Sequence, residues 1–223
     1  MSKFLLYSGV VFAAVGVMPA APIACPTGAV PLATLVALPT TGADAGCQSQ
    51  DKIFSDFVYT PLTGGTVASA ITAVLVFEQP GSGTDIHGWD FTPTTGSWTT
   101  GFTLSFTISV APGFPDVSIF ASKDQIDSGL VPNGLVMSDI QTGVGTLVTN
   151  GTSTALETEQ VMYSGVQSIT TTSTADIPSG DTLLSFGQEW FEHTDAVPEP
   201  APMFLVGAGL LGLRLFGLRR RRS

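Results

Sequence analysis

The chain has 223 residues, with 8 basic against 18 acidic side chains and only 12% charged residues, well below the roughly 25% of ordinary soluble domains. Lys3 opens the chain and five arginines lie from Arg214 onward, so the stretch between keeps only Lys52 and Lys123 against every carboxylate, about 16 negative charges net. That charge excludes nucleic acid as a partner, and the length leaves room for one folded domain once the two ends are set aside.

At the N-terminus, Met1-Ser2-Lys3, the uncharged run Phe4–Val17 and the small-residue zone Pro19–Ala24 form the pattern of a signal peptide over residues 1–24, cleaved between Ala20 and Ala24. The pattern predicts handling by the export machinery. Ala24-Cys25 raises lipidation of Cys25 as a rival, but Pro22 stands three positions before the cysteine, where a lipoprotein signal wants an aliphatic residue. Cys25 and Cys47 are the two cysteines, and in an oxidising compartment one disulfide between them is expected. A metal or redox pair is the alternative, poorly served by their wide spacing and by the lack of a nearby histidine.

Residues 25–193 show no long helical periodicity; turn formers punctuate short β-branched and aromatic runs. Expected strands are Ile53–Tyr59, Ile71–Glu78, Phe102–Val110, Val117–Ala121, Leu135–Ile140, Val144–Thr149, Gln160–Tyr163, Gln167–Thr172 and Leu183–Phe191. Phe102–Val110 alternates apolar and hydroxyl residues without a break, one face buried and one wet. Ser122–Leu130 reads as one helical turn or a loop. Gln79-Pro80-Gly81, Ala111-Pro112-Gly113, Pro132-Asn133-Gly134 and Asn150-Gly151 supply turns, the last within a glycosylation-type sequon that marks an exposed hairpin. The fold class expected is all-β, an antiparallel β-sandwich or jelly roll.

Chemistry is sparse along this domain. His87 precedes Asp90 and His193 precedes Asp195, so any histidine catalyst must use one of them; otherwise His87 reads as a turn residue and His193 as part of a polar linker. No nucleophile elbow, zinc helix or phosphate loop is present. Asp124 with Asp127, or Asp85 with Asp90, could offer oxygen ligands to calcium, but no calcium-loop spacing accompanies them, so neither a metal nor a cofactor is expected. Trp89 and Trp98 are candidates for a glycan platform, and packing in the core is the competing role for them and for Trp190.

Beyond a linker over residues 194–200 that holds Pro198-Glu199-Pro200, the stretch 201–223 is an apolar run ending in Arg219, Arg220, Arg221 and Arg222. The run from Ala201 to Leu218, about 18 residues, is just long enough at about 1.5 Å of rise each to cross most of a bilayer core, and the arginines place its end in the cytoplasm. Arg214 interrupts it and leaves about 13 uncharged residues, which suits a transient transmembrane helix better than a permanent anchor.

Pro198-Glu199-Pro200, the Gly- and Leu-rich helix Gly207–Leu213 and the terminal arginine cluster together resemble the PEP-CTERM sorting signal of Gram-negative bacteria. The resemblance implies an exosortase-type membrane enzyme that processes the chain near the motif and passes it to the cell surface or exopolysaccharide matrix, so Glu199 belongs to a substrate. Ala24-Cys25-Pro26, Gly46-Cys47 and Lys52-Ile53-Phe54-Ser55-Asp56-Phe57-Val58-Tyr59 resemble the start of exported PEP-CTERM proteins of acidobacterial type. The expected function is therefore that of a non-enzymatic surface or extracellular-matrix protein. A carbohydrate-binding or adhesive module is the alternative, and a secreted hydrolase the third.

Overall fold

The alternation in Phe102–Val110 is realised as a strand that buries Phe102, Leu104, Phe106 and Ile108 and turns its hydroxyls the other way. The structure, a computed structural model, describes residues 22–41, 45–79, 84–115, 117–130, 132–150 and 158–193. In chain order the strands are β1 (Ile23–Ala24), β2 (Val30–Pro31), β3 (Cys47–Ser49), β4 (Lys52–Pro61), β5 (Ile71–Glu78), β6 (Thr84–Pro93) and β7 (Phe102–Val110). They continue as β8 (Ser118–Leu130), β9 (Val136–Gln141), β10 (Gly145–Asn150), β11 (Thr158–Val166), β12 (Ser168–Asp176) and β13 (Thr182–His193). One helical turn, α1 (Leu32–Val36), follows β2 and buries Leu32 and Leu35.

Two sheets form, one of seven strands in the order β1-β3-β4-β7-β12-β9-β10 and one of six in the order β11-β8-β13-β6-β5-β2. All described pairs are antiparallel except the two-residue pairing of β1 with β3. Aromatic rings interlock between the sheets: Phe54 and Phe57 meet Trp89 edge-on at 5.6 and 6.0 Å, Phe106 meets Trp190 at 5.4 Å, and Phe102 stacks on Phe186 at 5.4 Å. The arrangement is the expected β-sandwich. On the outer face, Thr107 pairs with Thr170 and Ser105 with Thr172 through hydroxyl contacts of 2.9 and 3.0 Å, the cross-strand chemistry of a surface short of ions.

A bulge in β4 shifts the register between Ser55 and Val58, with Asp56 at φ 58°. It resets the pleat so that both Phe54 and Phe57, three residues apart, face inward. Cys25 and Cys47 are joined by a disulfide, which ties the leading segment to β3.

Two readings need correction. Ser122–Leu130 is neither a helical turn nor a loop; it belongs to the 13-residue strand β8. His87 is not a turn residue either, since it sits inside the 10-residue strand β6, a strand absent from those expected. In both cases inward positions carry polar groups, Ser122 and Asp124 in β8 and His87 in β6, which erases the apolar alternation that identifies a half-buried strand.

Residues 1–21 and 194–223 lie outside the described residues. They hold most of the expected signal peptide, the expected transmembrane helix, Pro198, Glu199, Pro200 and Arg219 to Arg222. Among the described residues no helix is long and apolar enough to cross a membrane.

Candidate functional site

The two-residue period of a strand delivers three charged or titratable side chains into the interior beside the aromatic core. Lys52 lies two residues before Phe54 on β4, His87 two before Trp89 on β6, and Glu192 two after Trp190 on β13; all six are buried. Asp51 joins them from the two-residue turn between β3 and β4, which Ser49 and Lys52 close as a pair. Gln50 in that turn holds φ 54°, and the Ala111 amide donates to the Asp51 carbonyl at 2.7 Å, fixing the turn against the loop after β7.

Lys52 Nζ donates to Glu192 Oε2 and lies 3.1 Å from Asp51 Oδ2. His87 Nε2 lies 3.2 Å from Glu192 Oε1 and 3.5 Å from Asp51 Oδ1. Both neighbours of that nitrogen are carboxylate oxygens, so Nε2 carries the hydrogen and Nδ1, which has no hydrogen-bond partner among the described residues, is the bare nitrogen. The side chains of Lys52, His87 and Glu192 are each 1% exposed and that of Asp51 10%, so the site opens only past Asp51.

Burial pushes the Lys52 amine below its ordinary range, against the opposing pull of Asp51. Burial, and then the Lys52 charge, press His87 down to about 4 although Asp51 draws it up, so the imidazole is neutral at pH 7. Asp51, His87 and Glu192 offer ligand atoms within 4.8 Å of one another, the spacing of a metal centre. Lys52 Nζ stands among them, and its ammonium supplies the cation that two buried carboxylates require.

A second polar group fills the interior where β9 and β12 face β8 and β13. Asp139 accepts from Thr171, from Ser173 at 3.0 Å and from the Gln141 amide at 3.1 Å; Ser122 donates to Gln141 at 2.7 Å, and Gln188 donates to Ser173. The last two bonds cross between the sheets. This network fixes register where the core lacks apolar side chains.

Trp89 and Trp98 present no platform. They are 0% and 1% exposed, packed against Phe54 and Phe57 and against Phe102 and Phe186 respectively, so neither ring offers a face to a sugar. The Trp98 indole donates to Tyr59 at 3.1 Å, and burial raises that phenol to about 12. The calcium pairs are also separated. Asp124 and Asp127 are an odd number of residues apart on β8, so one faces the core and the other the outer surface, and the same parity divides Asp85 from Asp90 on β6. Outside, Lys123 pairs with Glu189 at 2.7 Å, and partial burial followed by the neighbouring Asp90 lifts the Asp127 carboxyl to about 6. His193 ends β13 rather than lying in a linker.

Asp51, Lys52 and Glu192 are not among the candidate site residues of the sequence, where Lys52 enters only as part of the Lys52–Tyr59 segment. For Lys52 and Glu192 the signal was present in their spacing of two from a buried aromatic. An open depression of about 790 Å³, lined by Thr63, Thr99, Thr100, Asp176, Asp181 and Thr182 among others, is a separate feature.

No curated protein sequence is significantly similar to the chain. Among solved structures it is similar to a family 11 carbohydrate-binding module from Clostridium thermocellum in complex with a β-1,3-1,4-mixed-linked tetrasaccharide. Identity is 12%, 66% of this chain and 96% of that one are covered, and the TM-score is 0.27. It is also similar to CapF, solved with the inhibitor 3-isopropenyl-tropolone, at 11% identity, with 56% of this chain and 33% of that one covered and a TM-score of 0.20. Scores this low carry no argument about fold or ligand. The tail is specific where the body is not: residues 196–222 match the PEP-CTERM protein-sorting motif, so the chain carries a sorting signal of the exosortase system.

Proposed function

We propose that the chain is a non-enzymatic surface or extracellular-matrix protein of a Gram-negative bacterium, exported by an N-terminal signal and cut by an exosortase near Pro198-Glu199-Pro200. The observation that carries this reading is the sorting motif at residues 196–222 directly behind a β-sandwich that ends at His193. The interior of that body supports it: the titratable groups best suited to acid and base chemistry, His87 and Glu192, are sealed from solvent. The Lys-x-Phe-Ser-x-Phe-x-Tyr segment from Lys52 to Tyr59 favours the acidobacterial type of such proteins. Intact masses of the surface-associated protein from host strains with and without the exosortase test the proposal. Loss of the residues after about Pro200 in the competent strain alone is expected; an uncut tail in both sinks the processing step.

A glycan-binding role is the second reading, moved from the tryptophans to the hydroxyl-lined depression. Asp181 lines it and is 1% exposed; its Oδ1 accepts from the Asn133 amide and side chain at 2.9 and 3.0 Å, while Oδ2 has no hydrogen-bond partner among the described residues. Affinity electrophoresis in host exopolysaccharide should show retardation that Asp176→Ala and Thr100→Ala abolish. Equal mobility of all three proteins would remove the reading.

A further inference from the structure

We propose that Lys52 Nζ and Glu192 Cδ condense into an intramolecular amide that staples the two sheets together, with Asp51 moving the proton and His87 holding the carbonyl oxygen. Lys52 stands at the start of β4 and Glu192 near the end of β13, 140 residues apart in sequence, and each comes from a different sheet. Their reacting groups are already in contact and are held by strands on both sides, so orientation has been settled by folding; well-oriented intramolecular partners reach effective molarities of about 10⁵–10⁸ M.

The charges favour the same outcome. An ammonium and a carboxylate buried together retain much of their desolvation penalty, and transfer of the proton from Nζ to Glu192 gives a neutral amine and a carboxylic acid. The depressed amine basicity of Lys52 agrees with that state. The nitrogen lone pair attacks Cδ, the Nζ–Cδ bond forms, and the carbonyl electrons move onto Oε1, where the His87 Nε2–H stands 3.2 Å away. Asp51 Oδ2, 3.1 Å from Nζ, takes a proton from the nitrogen and gives it to Oε2. The Cδ–Oε2 bond then breaks, Oε2 leaves as water, and Asp51 is again a carboxylate. One amine and one carboxylic acid become one amide and one water, with no change of oxidation state and no co-reactant.

The assignment of partners follows from position. Asp51 adjoins Lys52 in the chain, so an amide between them would close a small strained ring, whereas Glu192 lies across the interior. Asp51 is also the one member with appreciable exposure, which gives it exchange with solvent and gives the released water a way out. The remaining site excludes water, which opposes hydrolysis of the bond once formed.

Mass spectrometry of the full chain purified from its host, denatured, reduced and digested with chymotrypsin, tests the proposal directly. The segments holding Lys52 and Glu192 should appear as one cross-linked species, lighter than the two peptides together by the mass of one water. Both segments at their unmodified masses, from protein with a β-sheet circular dichroism spectrum, would overturn it. Asp51→Asn should fold and leave the two segments unlinked; a full yield of cross-link in that variant would overturn the part given to Asp51. Lys52→Arg keeps a cation in the site but has no amine to condense, and any cross-link to Glu192 in it would refute the assignment of Nζ.

Discussion

Lys52 shares the pleat of Phe54, and that phase alone commits an ammonium to the interior, because a strand cannot turn one side chain out without turning its neighbours. Once inside, and before it condenses with Glu192, it is the counter-charge for Asp51 and Glu192. Compared with Lys52→Arg, which keeps the cation and cannot condense, Lys52→Met should therefore leave two carboxylates buried without a cation and lower stability by about 3–5 kcal/mol, read from denaturant unfolding. Adding Glu192→Leu removes one of those charges and should recover part of the loss; a double variant no better than the single would contradict the charge argument. His87 makes a second statement at this scale. Its folded value of about 4 lies below the ordinary 6.5, chiefly from burial, so the unfolded chain binds the extra proton between those values. Stability is complete above about pH 6.5 and falls as the pH drops through 4, by up to about 3 kcal/mol from this group. Unfolding midpoints measured from pH 7.5 to 4 should decline through that window, and His87→Phe should flatten the slope.

At the scale of the strand, β6 and β13 lie so close that residue size is dictated by backbone. A Cβ added to Gly88 would meet the Gln188 carbonyl oxygen at 2.2 Å, whereas one added to Gly187 would meet the movable Asp90 carboxylate at 2.5 Å. Gly88→Ala should cost about 1–3 kcal/mol because only a shift between paired strands relieves it, and Gly187→Ala should cost less. Thermal melts of the two variants give the comparison, and an equal or reversed order would show that the strands can separate locally. The same pair of strands shows what the sequence could and could not disclose. Phe102–Val110 was legible because its inward set is wholly apolar, and the Ile71–Glu78 boundaries coincide with β5 for a similar reason. Thr84–Pro93 was hidden because Asp85 and His87 occupy inward positions where a core strand ordinarily carries apolar side chains. Gln188 and Glu192 face inward on β13 by the same alternation that buries Phe186 and Trp190; the expected strand Leu183–Phe191 covers Gln188 and stops one residue short of Glu192, and neither side chain is among the candidate site residues. Local pattern identifies a strand by the contrast between its faces, and that contrast vanishes where both faces are polar. The site is illegible locally for a further reason: its members come from a turn and three strands that only the topology brings together.

For the whole molecule, the position of the staple determines how the body answers to force. The sorting motif at residues 196–222 lies just beyond β13, so tension applied through the tail enters at Glu192 and His193 and would otherwise peel β13 from β6 and β8. An amide between Glu192 and Lys52 diverts that tension directly to β4 and leaves every strand from β5 to β12 outside the loaded path. The Cys25–Cys47 disulfide does the same for the leading segment, with its sequence separation of 22. Only short stretches near residues 22–25, 47–52 and 192–193 then carry load. Stretched between its two ends by single-molecule force spectroscopy, the wild-type body should extend by only a few tens of Å, since a residue spans at most about 3.3–3.6 Å. Lys52→Arg should instead release the 140-residue separation between Lys52 and Glu192, a gain of about 490 Å in contour length. Reduction of the disulfide should add a smaller, separate increment in either protein. A wild-type trace with the long release would mean that the sheets bear the tension themselves, held by the buried ions and the aromatic core alone.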